Sequence, residues 1–297
     1  MTRRQLLAAC GTAAAAPAAG PRFIKGICSN IFPAKMLLEE CFRQTKNAGF
    51  DAIEIPSGGE IDVNTDPAAV KRLGDAARRA GVAIASFWVS GPLSANPLNS
   101  ADPAARARGV EAVKKLIEFA GLLGAGAMLI VPGRLGSGAK FQYGYQDTWD
   151  RVTAEMRKLV PFAEKAKVIL VLENVWNKFL VSPLEMRAFV DQFKSPWVGT
   201  QFDTGNVMQF GYPQDWILTL GPRIRRVHVK DYKLSARAEQ GRFVDLMEGD
   251  VDWKEVMAAL VTVGYRGFVS PEIGHDPNDA DQLKKVSRTL DKILALA

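Results

Sequence analysis

From residue 22 onward, eight short β-branched apolar runs alternate with eight longer amphipathic ones. The strand-like runs fall at 23–31, 51–57, 82–90, 127–133, 168–176, 198–204, 224–232 and 267–273. The helical patterns fall near 35–48, 66–80, 102–123, 147–166, 183–193, 213–220, 252–263 and 278–295. Within the helical runs, apolar residues recur at three- and four-residue spacing, as in Val113, Leu116, Ile117, Ala120 and Leu123. Such alternation predicts parallel strands joined by right-handed crossovers. Eight units over roughly 275 residues match a single-domain α/β chain of the (β/α)8 TIM-barrel type. A doubly wound open sheet is the competing topology. It usually carries a glycine-rich turn after its first strand, and Ser29-Asn30-Ile31-Phe32-Pro33 is not one.

Punctuation supports the same division. Gly49, Gly81, Gly124 and Gly264 each follow a helical run, where a left-handed cap is wanted. Asp66, Ser182 and Asp252 precede helical runs as N-caps. No linker or change of composition divides residues 22–297, so one domain is expected there. The longest loops, 91–101, 133–146 and 233–250, all follow strands. In a barrel they would rise over the C-terminal face, where active sites form.

Residues 1–20 read differently. Arg3-Arg4 begins the segment, an Ala-rich run follows, and Ala16-Pro17-Ala18-Ala19 offers a small-residue cleavage site. This is the pattern of a twin-arginine export signal, which predicts an exported, periplasmic protein. A basic tail on a cytoplasmic protein is the alternative. Leu7-Ala8-Ala9-Cys10 resembles a lipoprotein box, but the apolar stretch between Arg4 and Cys10 is too short for one. Without the leader, Cys28 and Cys41 remain, which is no disulfide framework. Two buried thiols are expected, with a single bridge as the alternative in an oxidising compartment. The net charge of +6 comes without a basic stripe interleaved with aromatics, so nucleic acid is not implied. No apolar run reaches the roughly 20 residues of a membrane span. The surface leaves a homo-oligomer open.

Polar residues at the ends of the last four strands carry the chemistry. Glu173 ends the apolar run Val168–Leu172, Asp203 follows Gly199–Phe202, His228 lies in Ile224–Val229, and Glu272 follows Gly267–Pro271. One such residue could belong to a buried ion pair. Four in successive strands would repel and desolvate one another unless a cation held them. Three carboxylates and one imidazole suit one divalent metal, Mn²⁺ or Mg²⁺ first, with Co²⁺ or Zn²⁺ also compatible. His228 and His275 are the chain's only histidines, too few for a multinuclear histidine-rich zinc site. Period-two geometry puts Arg226, His228 and Lys230 on one face. Lys230 would there polarise a substrate oxygen, or else pair with the inward Glu54 of the second strand. Trp88 and Trp176 are candidates to stack on a flat face of a bound ligand, or to pack in the core or at the rim.

The segments Val171-Leu172-Glu173-Asn174, Phe202-Asp203-Thr204-Gly205-Asn206, Val227-His228-Val229-Lys230-Asp231 and Ser270-Pro271-Glu272 give the chain its resemblance to a family. In them it resembles the sugar phosphate isomerase/epimerase superfamily of xylose-isomerase-like barrels, which includes D-tagatose 3-epimerase and L-xylulose-5-phosphate 3-epimerase. Glu248-Gly249-Asp250-Val251-Asp252-Trp253 matches the family's turn into its seventh helix. The resemblance implies a metal-dependent isomerase acting on a small sugar, a ketose or keto-sugar, by α-proton abstraction and a cis-enediolate. It implies Glu173 and Glu272 as the acid/base pair as well as ligands, with Asp203 and His228 as ligands only. Where many 3-epimerases carry a second histidine, this chain has Asn206, which can hydrogen-bond a substrate hydroxyl but cannot take up a proton near neutrality. Export favours an unphosphorylated substrate. His275, just past the last strand, is read as a surface-loop residue. Two further readings stay open: a metal-dependent lyase or dehydratase on a keto-glycoside or keto-inositol, and a sugar-binding barrel with a vestigial site.

Overall fold

A computed structural model describes residues 22–235 and 241–297. The proposed leader, residues 1–20, lies outside the described residues. Eight strands close into a parallel barrel: β1 (Phe23–Cys28), β2 (Ala52–Pro56), β3 (Ala83–Trp88), β4 (Ala127–Ile130), β5 (Ile169–Glu173), β6 (Val198–Asp203), β7 (Ile224–Val229) and β8 (Gly267–Pro271). Closure is made by β1, which pairs with β8 through Phe23–Gly267 and Lys25–Val269 and with β2 through Gly26–Ala52 and Cys28–Glu54. The helices that alternate with the strands are α1 (Leu38–Asn47), α2 (Pro67–Arg79), α3 (Pro103–Leu123), α4 (Tyr145–Ala166), α5 (Pro183–Asp191), α6 (Pro213–Leu220), α7 (Trp253–Thr262) and α8 (Gln282–Leu294), with one further helical turn at Pro92–Ala95 in the loop before α3. The open doubly wound sheet is thereby excluded.

Local chemistry starts and stops these elements where the sequence suggests. Asp66 accepts from the Ala68 amide, and Asp252 from the Glu255 amide. Ser182 and Glu185 form a reciprocal capping box at α5. Gly124 closes α3 at φ 78°, in the left-handed region that a Cβ disfavours. The strands are shorter than the apolar runs. Pro132 and the left-handed Gly133 follow β4, and a 3₁₀ turn at Ser29–Ile31 follows β1. The run at 224–232 splits: β7 ends at Val229, and Asp231–Lys233 pairs antiparallel with Arg242–Val244 beyond the barrel.

Outward strand residues such as Ile53, Phe87, Met128, Leu170, Phe202 and Val227 pack under the helices and are fully buried. Each large apolar side chain so buried contributes about 1.5–3 kcal/mol. Inside the barrel the filling is lopsided. Ala127, Leu129 and Val171, with Trp88 and Val131 against them, make an apolar half under β3–β5. The opposite half holds Cys28, Glu54, Gln201, Asp203, His228 and Ser270, all buried. Cys28 and Cys41 are both free and buried, so no bridge joins them.

Candidate metal centre

Period-two alternation along β5–β8 turns Glu173, Asp203 and His228 inward, with Glu272 one residue past β8. Register then sets the height, because Asp203 is opposite His228 on one side and Ser270 opposite it on the other. One ligand atom from each of Glu173, Asp203, His228 and Glu272 lies within 4.8 Å of all the others. His228 Nδ1 is 3.1 Å from Glu173 Oε1, 3.1 Å from Glu272 Oε2 and 3.8 Å from Asp203 Oδ2. Asp203 Oδ2 and Glu272 Oε2 are buried without a well-formed hydrogen bond. Lys230 Nζ, beside them, is 3.2 Å from the first and 2.6 Å from the second. Buried carboxylate oxygens left short of donors, facing one imidazole nitrogen, are what a divalent cation would complete.

The electrostatics pull the acids apart. Burial pushes Glu173 and Asp203 above the ordinary carboxylate range. Burial acts on Glu272 too, but His228 and Lys230 overcome it and hold that carboxyl far below its usual value. Burial would lower His228; the acidic neighbours, with Cys28 and Glu54 foremost, instead raise it well above its ordinary value. Desolvation likewise opposes the charge on Lys230, and Asp203, Glu272 and Glu173 outweigh it and raise it.

The other candidate residues fall as follows. Lys230 does not pair with Glu54; it sits over Asp203 and Glu272, because it lies one inward step above His228 whereas Glu54 lies at the opposite face of the ring. Asn206 donates its side-chain amide to Asn174 O and its backbone N–H to Asp203 Oδ1, which orients that carboxylate. Trp176 lies at the mouth, 44% exposed, donating to Asn206 O and stacked 5.1 Å from the equally open Phe243. Trp88 is half-buried on the inner apolar half and also borders a cavity of about 670 Å³ between the loops after β1, β2 and β3. His275 is an exposed loop residue that donates to Ile31 O. Phe243 carries no signal in the sequence, since it belongs to a three-residue strand, Arg242–Val244, that is largely open; its ring lies 5.6 Å from Lys230 Nζ.

A closed (β/α)8 barrel with a metal-type cluster at the C-terminal mouth of β5–β8 defines the class of protein. A family model described as xylose isomerase-like TIM barrel matches residues 42–293, and the chain belongs to that family. Among similar proteins is the L-ribulose-5-phosphate 3-epimerase UlaE of Salmonella paratyphi C, 29% identical over 248 residues, 82% of this chain and 84% of that one. Its Salmonella paratyphi B counterpart is 28% identical over the same length. Among solved structures, a D-psicose 3-epimerase determined with D-tagatose, from Clostridium cellulolyticum H10, superposes with a TM-score of 0.78 at 18% identity, over 92% of this chain and 99% of that one. The 3-keto-D-glucoside 4-epimerase YcjR of E. coli superposes with a TM-score of 0.73 at 15% identity, over 92% and 99%. At such identities these two speak for the fold.

Proposed function

We propose that the protein is a divalent-metal-dependent sugar epimerase that inverts a carbon next to the carbonyl of a ketose or keto-sugar. The observation that carries this reading is the convergence of Glu173, Asp203, His228 and Glu272 within 4.8 Å at the barrel mouth. The sugar 3-epimerases among the similar proteins support it. Glu173, Asp203, His228 and Glu272 would hold the ion, and Mn²⁺ is the ion proposed, with Mg²⁺, Co²⁺ and Zn²⁺ compatible with the same donors. When bound, the ion supplies Lewis-acid stabilisation of charge that develops on the sugar's carbonyl and neighbouring hydroxyl oxygens.

The protein's own groups do the proton work. Glu173 on β5 and Glu272 past β8 are separated by β6 and β7, so they approach a bound sugar from different sides. One carboxylate removes the α-proton, leaving a cis-enediolate. The other, as the acid, returns a proton to the opposite face, which inverts the carbon. The Lys230 ammonium, already poised over this cluster, hydrogen-bonds a substrate oxygen. Trp176 and Phe243 cover the mouth and offer an apolar face to a sugar ring. An unphosphorylated substrate is proposed, and it rests on the export signal proposed below.

The test is exposure of the Mn²⁺-loaded protein to D-fructose, D-psicose, D-tagatose, L-ribulose and L-ribulose 5-phosphate in D₂O. The expected result is solvent deuterium at the carbon beside the carbonyl together with the new epimer, and loss of roughly 10²-fold or more in kcat for Glu173→Gln and for Glu272→Gln. Neither deuterium nor product across that panel, with metal bound, would overturn the proposal.

The export signal is proposed on the Arg3-Arg4 pair. Residues 1–25 fused to a reporter should carry it across the membrane, and Arg3→Lys with Arg4→Lys should hold it back. A reporter that remains cytoplasmic with the native segment would refute export.

A further inference from the structure

His228 has two faces, and the proposed metal centre uses one. The other, Nε2, points into the barrel below the cluster, 3.2 Å from Glu54 Oε2 and 3.3 Å from Cys28 Sγ. Glu54 is fully buried on β2, beside Cys28 in the register of β1 and Ser86 in that of β3. A buried carboxylate needs a charged or hydrogen-bonded reason to be there. Among the described residues no Lys or Arg hydrogen-bonds to it. Arg226 of β7 donates instead to Ala85 O and Arg225 O. Hydrogen bonds come to Glu54 from Ser86, through its hydroxyl, and from Gln201, whose Nε2 lies 3.3 Å from Oε2. Ser86 holds the carboxylate from the adjoining strand β3 and Gln201 from β6 across the barrel, so its oxygen toward His228 is fixed in direction.

We propose that Glu54 is a positioning residue for the metal centre: it accepts the Nε2–H of His228 and so keeps the Nδ1 lone pair turned toward Glu173, Asp203 and Glu272. This rests on the reading of those four groups as a cation site. An imidazole that donates from Nε2 to a carboxylate presents an unprotonated Nδ1 and is a more basic ligand there. Cys28 shares the position but not the role, because a thiol is a weak partner for an N–H. Glu54 touches neither the substrate position nor the cluster's open side, so it acts only through the ring.

The chain's two histidines make the test direct. In Mg²⁺-loaded, ¹⁵N-histidine-labelled wild-type protein, the His228 ring should show its proton on Nε2 and none on Nδ1. Calorimetry with Mn²⁺ should then show roughly 10–100-fold weaker binding for Glu54→Gln and Glu54→Ala. Cys28→Ala should stay within about threefold of wild type, because it spares the carboxylate. Metal-free circular dichroism and melting confirm that each variant is folded. A proton on Nδ1 in the loaded wild type overturns the proposal, and this needs no variant to fold. So does unchanged Mn²⁺ affinity in both Glu54 variants. Failure of the wild type to bind Mn²⁺ or Mg²⁺ at all would instead remove the cation site itself, and this inference with it.

Discussion

At the scale of single residues, the centre is a competition between a proton and a metal for one ring nitrogen. Without an ion, His228 lies among Glu54, Glu173 and Glu272, and those charges raise it well above its ordinary value although burial opposes them. Such a raised group adds stability that is complete below its unfolded value of about 6.5 and is lost as pH climbs through the folded one. A cation needs Nδ1 bare, so its arrival expels that proton. Titration with Mn²⁺ in buffers of different ionisation enthalpy should therefore register at least one proton released per ion near neutrality, and affinity should tighten as pH rises. Binding with no proton release would mean that His228 is already neutral or is not a ligand.

At the scale of elements, what the sequence discloses is set by how local the cause is. The helix starts at Asp66, Ser182 and Asp252 are legible because a cap is a contact over three residues. The ligand set is legible because a charged residue ending an apolar strand has few other uses, and β5–β8 each show one near the C-terminal end. Strand ends are overestimated by one to three residues, since apolar runs continue into loops that pack on the mouth, as Val131 does after β4. The partner of Lys230 is not legible. Choosing between Glu54 and the Asp203–Glu272 pair depends on register around a closed ring, which no single segment encodes. The second face of His228 is half legible: Glu54 breaks the run Ala52–Pro56 as Glu173 breaks its own, but only pairing of β1 with β2 brings it beneath the imidazole. The turn at Glu248–Trp253 shows the same division. Its glycine is plain in sequence, whereas the reason for it is Asp231. That carboxylate accepts from the Met247 and Val251 amides and from Trp253 Nε1, and a Cβ at Gly249 would collide with it.

At the scale of the whole molecule, the barrel interior fails to balance its own charge. Glu54, Glu173, Asp203 and Glu272 face Arg226 and Lys230, which leaves two negative charges when His228 is neutral. One dication restores neutrality, whereas a monovalent ion would leave the interior short. The donors come from four separate strands, so the site exists only once β5–β8 are assembled, and the ion binds the folded chain alone. Binding of that kind stabilises by about 2.7 kcal/mol when free ion stands at about 100 times Kd. For a domain of this size each kcal/mol moves Tm by roughly 2–4 °C, so Mn²⁺ at that level should raise Tm by about 5–11 °C. K⁺ at the same concentration should not. Asp203→Asn removes one charge while keeping the side chain's shape, so the melting temperature of the metal-free form should hold or rise and the Mn²⁺ increment should largely vanish. Equal increments in wild type and Asp203→Asn would show that the ion binds elsewhere, and that the unmet charge inside the barrel is neutralised by protons rather than by metal.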